Sequence, residues 1–190
     1  MRIIAGEFRS RKLKSLPGAA TRPTPDRLRE TLFDILQTRI EGATFADAYA
    51  GTGAVGIEAL SRGARHAWLL ERARPALELI RENIAALGLE SRATVLAGPV
   101  LQTLSRQSAD IVFLDPPYDQ EREYRSALEL LGAAPPALVI MQHSVRLELP
   151  ESAGALTRTR IVRQGDSALS FYVGQASRPA RDLQVPPPEV

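Results

Sequence analysis

Three acids and three glycines stand out for what their spacing can do. In the stretch DAYAGTGAVG, Asp47 stands four residues before Gly51, and Gly51, Gly53 and Gly56 form the G-x-G-x-x-G of a tight strand-to-helix turn that lets backbone approach an adenosine ligand. Glu71 follows Gly51 by 20 residues, a spacing at which an acid accepts hydrogen bonds from the two hydroxyls of a ribose. Both features suit a nicotinamide dinucleotide as well as other adenosine cofactors. Asp47 separates them. An anionic side chain at this turn is an awkward neighbour for a pyrophosphate but complements a cation, and S-adenosylmethionine brings an ammonium and a sulfonium and no phosphate.

The third acid opens the run DPPY, Asp115 to Tyr118, which follows the apolar stretch IVFL. Pro116 and Pro117 fix φ and remove two backbone donors, so the carbonyls of this turn stay rigid acceptors. An aspartate, a proline-fixed carbonyl and the Tyr118 ring make a site that accepts two N–H bonds from an exocyclic amine while the ring stacks on its base. Taken singly, each acid is as readily a helix cap or a solvated loop residue, and DPPY an ordinary turn with a surface tyrosine. All of them at strand ends of one sheet are harder to dismiss.

The elements that must position these residues are legible as alternating short apolar runs and helical stretches. TFADAY, HAWLLE, ATVLA, ADIVFLD and ALVIMQ read as strands. GIEALSR, ARPALELIRENIAAL ended by Gly88, VLQTLSRQ and REYRSALELL read as helices between them. Such βαβα alternation predicts a mostly parallel, doubly wound sheet, with ligands outside the C-terminal ends of its strands. LTRTRIVRQ and ALSFYVG flank a short loop with Gly165 and Asp166 and predict an antiparallel hairpin at one edge. Near the N-terminus, RIIAG and RKLKSL predict a small hairpin across EFRS. Thr24 and Pro25 are the N-cap and first position of an amphipathic helix carrying Leu28, Leu32, Ile35 and Leu36 through about Thr38. The expected organisation is a basic hairpin arm and loop over 1–24, a catalytic domain over 25–174 and a disordered tail over 175–190.

Composition narrows the chemistry. The chain has 190 residues, 44% hydrophobic and 24% charged, which suits one domain with a substantial core. It contains no cysteine, which excludes disulfides, thiolate metal sites and a cysteine nucleophile, and its two histidines, His66 and His143, leave little for metal chemistry; no metal is expected. No signal-peptide core or membrane-length apolar run is present, so the expectation is a cytoplasmic protein without a membrane role. The net charge of +2 hides an asymmetry: residues 1–29 carry eight basic and two acidic side chains, net +6, and the remainder is net −4. A basic arm on a mildly acidic body fits docking on nucleic acid.

Together, DPPY and D-x-x-x-G-x-G resemble the amino-group methyltransferases that use S-adenosylmethionine. With RIIAG, R-x-R-x-L, RPTPDRLRETLF and DAYAGTGAVGIEALSRGA, the chain is similar over about residues 1–175 to the bacterial small-subunit ribosomal RNA methyltransferase D family, which methylates the exocyclic N2 of a guanine. The resemblance implies an α/β, Rossmann-like class I methyltransferase fold with a mostly parallel seven-stranded sheet, helices on both faces and an N-terminal β-hairpin extension. It implies S-adenosylmethionine held by Asp47, Ala50, Gly51, Thr52, Gly53, Glu71 and Arg72, and catalysis at Asp115, Pro116, Pro117 and Tyr118. The RNA would be held by Arg2, Arg9, Arg11, Lys12, Lys14, Arg22 and Arg27, with small-subunit ribosomal RNA, free or in a particle, as partner of a monomeric enzyme. The sequence departs from the family pattern at three places: Ser10 replaces a glycine between two arginines, Pro99 an aspartate that meets the adenine amine, and Gln142 a frequent glutamate at the end of strand five. Rival readings are a DNA adenine N6-methyltransferase, weakened by the lack of room for a target-recognition domain, and a protein glutamine methyltransferase, which usually has asparagine in place of Asp115. From other classes come an NAD-dependent oxidoreductase and a simple RNA-binding module, neither of which accounts for Asp47 and DPPY together.

Overall fold

The computed structural model describes residues 1–15 and 26–174. Its elements are α1 (Asp26–Leu36), β1 (Thr44–Ala48), α2 (Ala54–Ser61), β2 (His66–Glu71), α3 (Arg74–Leu87), β3 (Ala93–Ala97), α4 (Val100–Leu104), β4 (Ile111–Leu114), α5 (Glu121–Ala133), β5 (Leu138–Ser144), β6 (Ser152–Ala153), β7 (Leu156–Gln164) and β8 (Ser167–Gly174). They build one sheet in the order β3-β2-β1-β4-β5-β8-β7-β6. β1 to β5 run parallel, and β8 returns antiparallel between β5 and β7, as the run around Gly165 and Asp166 predicts. The expected seven strands are present, and an eighth, the two-residue β6, adds to the β7 edge; so short a pairing leaves no periodicity to read.

The sheet is buried on both faces, which is why its central strands are apolar without alternation. All four residues of β4 are buried. One cluster, around Phe33, Phe45, Ile57, Phe113 and Ile140, lies on the face covered by α1 and α2. The other, around Leu114, Tyr124, Leu128, Val139 and Tyr172, lies under α4 and α5. Each such fully buried aliphatic or aromatic side chain contributes about 1.5–3 kcal/mol. α3 ends where Gly88 takes a left-handed φ of 67° and its N–H bonds the Ala85 carbonyl, while Leu89 N–H bonds that of Ile84.

The N-terminal hairpin is looser in pairing and tighter in attachment than expected. Its arms share one antiparallel bridge, Arg2 with Lys12, instead of two strands. Ser10 turns the chain with φ 68°, a conformation that glycine adopts at less cost. Backbone, more than charge, docks this strap on the domain. Ile4 and Ala5 N–H groups donate to the Glu58 carboxylate at 2.8 and 3.0 Å, Glu7 N–H to the Ser61 carbonyl at 2.8 Å, and Lys14 N–H to Asn83 Oδ1 at 2.8 Å. Ile3 and Leu13 are buried in the core. Arg29, fully buried, donates to the Arg2 carbonyl and lies 4.0 Å from Glu58. Burial lowers the Arg29 pKa, with Glu58 and Asp26 opposing the shift. One cation of the arm is therefore structural. Thr24, Pro25, Arg22 and the proposed tail lie outside the described residues.

Candidate active site

Three strand ends and the turns after them converge on one cavity of about 1100 Å³. From the predicted cofactor set it takes Asp47, Ala50, Gly51, Thr52, Glu71 and Arg72, and from the predicted catalytic set all of Asp115, Pro116, Pro117 and Tyr118. Gly53 is not on its wall. With φ 76° it opens α2, and a Cβ there would come within 3.0 Å of Leu69, so its smallness serves packing behind the turn. Gly56 is the close approach: a Cβ would lie 3.2 Å from the Asp47 carboxylate and 3.0 Å from Leu69.

The glycine turn answers the question its sequence leaves open. In a dinucleotide site the free N–H groups of such a turn face the pyrophosphate. Here acids take two of them: Gly51 N–H donates to Glu71 Oε2 at 3.0 Å and Gly56 N–H to Asp47 Oδ2 at 2.7 Å. Glu71 Oε1 also accepts from the Arg72 and Ala73 N–H groups at 2.7 and 2.9 Å, so this carboxylate shapes the turn as well as facing the cavity. Asp47 is 2% exposed. Burial pushes its pKa up to about 8, against the Gly56 bond that lowers it, with Asp115 and Glu71 adding repulsion. A site that holds a carboxylate at such cost is complementary to a cation and hostile to a phosphate.

At the end of β4, Asp115 N–H bonds the Ala48 carbonyl at 3.3 Å, and the proline turn presents the Pro116 carbonyl. The buried Tyr124 hydroxyl donates to that carbonyl at 2.8 Å, taking one lone pair and leaving the second. The Tyr118 hydroxyl donates to Ser167 Oγ at 3.1 Å and accepts from Gln142 Nε2 at 3.5 Å, so the ring is held from its far end. Tyr49, in the left-handed region at φ 68°, donates to Glu123 Oε1 at 2.6 Å on the same wall. Burial and Glu123 raise the pKa of this phenol. Such a φ for an aromatic residue is a strain that the surrounding structure must hold. Tyr49, Glu123, Tyr124 and Gln120 escape sequence reasoning, because α5 and its N-cap bring the last three to the site and helical spacing reveals only which face is apolar. The one available signal was the aromatic residue between Asp47 and Gly51. Pro99, before α4, lines the cavity with a ring that cannot accept a hydrogen bond.

The predicted RNA residues divide. Arg2, Arg9 and Arg27 line a shallow pocket of about 510 Å³ with Ser10, Asp26 and Glu30. Arg11 and Lys12 are exposed, and Lys14 pairs with Glu82 at 2.9 Å. The strap reaches the main cavity through Met1 and Ser15.

The sheet order and this acid-walled cavity at the strand ends define a Rossmann-like class I methyltransferase. A family model described as Conserved hypothetical protein 95 matches residues 1–173. The chain is 38% identical to the ribosomal RNA small subunit methyltransferase D of Escherichia coli K12, over 93% of this chain and 91% of the relative, and 32% identical to YlbH of Bacillus subtilis, over 90% and 98%. It belongs to this methyltransferase family. The solved structure of the Escherichia coli protein yhhF matches with a TM-score of 0.81 at 34% identity, covering 93% of this chain and 98% of that one. Membership implies a methyl donor of the S-adenosylmethionine type. No helix among the described residues is long and apolar enough to cross a membrane.

Proposed function

We propose that this protein transfers a methyl group from S-adenosylmethionine to the exocyclic N2 amine of a guanine in small-subunit ribosomal RNA, free or assembled, as a cytoplasmic enzyme. The observation that carries the cofactor reading is the pair of carboxylates, Glu71 and Asp47, bonded to the Gly51 and Gly56 N–H groups of the turn, which sets negative charge where a nicotinamide dinucleotide would bring its pyrophosphate. Likeness to the methyltransferase D relative supports the substrate. When bound, S-adenosylmethionine supplies a methyl group on a sulfonium. Asp47 would offer its carboxylate to the cationic methionyl part, the Ala50 to Thr52 backbone would run beside it, and Glu71 would accept from the ribose on the capacity its backbone bonds leave free.

The guanine amine is a poor nucleophile because its lone pair is delocalised into the ring. Asp115 and the second lone pair of the Pro116 carbonyl accept its two N–H bonds and favour a pyramidal nitrogen aimed at the methyl group. In-line displacement would form the N–C bond as the S–C bond broke, leaving the electron pair on sulfur and the amine proton with Asp115 or water. Catalysis is positioning plus electrostatics, without a covalent enzyme intermediate. Tyr118 stacks on the unstacked base.

Single-turnover transfer to small-subunit particles and calorimetry with S-adenosylhomocysteine test this. Asp115→Ala should abolish transfer and leave product affinity within a few-fold. Tyr118→Ala should be severe and Tyr118→Phe mild. Transfer surviving in Asp115→Ala would overturn the catalytic assignment, and a wild-type protein that binds no S-adenosylhomocysteine would overturn the cofactor.

A further inference from the structure

Gln142 is 3% exposed, lines the cavity and carries a side-chain oxygen, Oε1, with no hydrogen-bond partner. An amide acceptor left unpaired in the interior is costly, and such groups call for an explanation. Its place in the sheet supplies one. β4 and β5 pair Phe113 with Ile140 and Leu114 with Met141, so one step further Asp115 and Gln142 are neighbours with side chains on the same face. The orientation of the amide is set from behind. The Tyr118 hydroxyl uses its hydrogen on Ser167, so towards Gln142 it can only accept, which selects Nε2 for that side and leaves Oε1 as the free acceptor. The 3.5 Å length of that contact leaves the amide slack to turn Oε1 into the cavity.

We propose that Gln142 selects the target base by accepting the N1–H of a guanine whose N2 amine sits on Asp115; this rests on the function proposed above. Guanine carries an N–H donor at N1 beside its amine. Adenine carries a lone pair at N1 beside its own amine, and two lone pairs would then face each other. A row of acceptors, Asp115, the Pro116 carbonyl and Gln142, fits the first edge and repels the second. DPPY serves either amine, so discrimination must come from a neighbouring group, and Gln142 has the chemistry and the vacancy.

The test uses small-subunit particles reconstituted with RNA carrying either guanine or 2-aminopurine at the methylated position. 2-Aminopurine keeps the amine and loses the N1 hydrogen. Wild-type protein should prefer guanine by about tenfold to a hundredfold in kcat/KM, the scale of one well-placed hydrogen bond. Gln142→Leu should lose a similar factor on guanine and bring the ratio of the two bases to within about threefold. Gln142→Glu keeps an acceptor and should keep the preference. The inference is overturned if wild-type protein does not distinguish the bases, or if a folded Gln142→Leu protein retains the wild-type ratio. Wild-type protein that methylates neither particle overturns the proposed function itself, and this inference with it.

Discussion

At the scale of single residues, the site is dominated by carboxylates whose cost is repaid only when a ligand arrives. Asp47 shows this most clearly. Its pKa in the folded chain, about 8, lies above the ordinary carboxylate value, so the free protein is favoured by the protonated form. The corresponding stability is fully present below about pH 4 and is lost as the pH rises through about 8. A cationic ligand reverses the preference, so binding near neutral pH must expel the proton. Calorimetry with S-adenosylmethionine at pH 7, in two buffers of different ionisation heat, should show release of close to one proton per molecule bound. Asp47→Asn can still accept from Gly56 and should abolish the release while weakening affinity. Equal proton release in both proteins would remove Asp47 from the cation site.

At the scale of elements, the strap of residues 1–15 combines two roles that its sequence presents as rivals. Its backbone and apolar side chains are docked, with Gly6 pressed against α2, whereas Arg9, Arg11 and Lys12 point their charge outside the core. Replacing Arg9, Arg11, Lys12 and Lys14 by alanine should therefore spare melting temperature and cofactor affinity. If all four touch phosphates, the slope of log K for RNA against log salt should flatten by about 3 on the single-strand scale. Gly6→Ala is the opposite variant. Gly6 has φ 81°, and a Cβ there would overlap the Ser61 carbonyl, so the strap must lift away from α2. Because Met1 and Ser15 border the cavity, that variant should lose melting temperature and cofactor affinity together with little change in salt slope. Matching salt slopes for the quadruple variant and wild type would sink the electrostatic role of the strap.

At the scale of the whole molecule, the cavity lies across the topological switch of the sheet, between β1 and β4, and draws its walls from both halves. A ligand there ties together strands that the chain supplies far apart in sequence. At a concentration a hundred times its dissociation constant, S-adenosylhomocysteine should stabilise the fold by about 2.7 kcal/mol, a rise of roughly 5–10 °C for a domain of this size. NAD at the same concentration should leave the melting temperature unchanged, because the Asp47 and Glu71 carboxylates take the Gly56 and Gly51 N–H groups and set negative charge where its pyrophosphate would lie. An NAD shift of similar size would return the dinucleotide reading to contention.

Much of this was written in the sequence by itself: the alternating elements, the mostly parallel sheet with a final antiparallel hairpin, and the placement of Asp47, Glu71 and Asp115 at strand ends follow from local periodicity, glycine turns and proline. Local rules suffice there because a strand end carries its acid wherever the strand goes. Tertiary structure alone decided how those acids are used. That Glu71 takes the Gly51 N–H, that Tyr124 takes one lone pair of the Pro116 carbonyl, and that Gln142 keeps an unpaired oxygen depend on contacts between distant segments. The same holds for Arg29, which the sequence counts with the basic arm and the fold buries beside Glu58. Spacing along one element fixes a direction, but the choice of partner for a hydrogen bond is made by whatever the packed neighbours bring within reach.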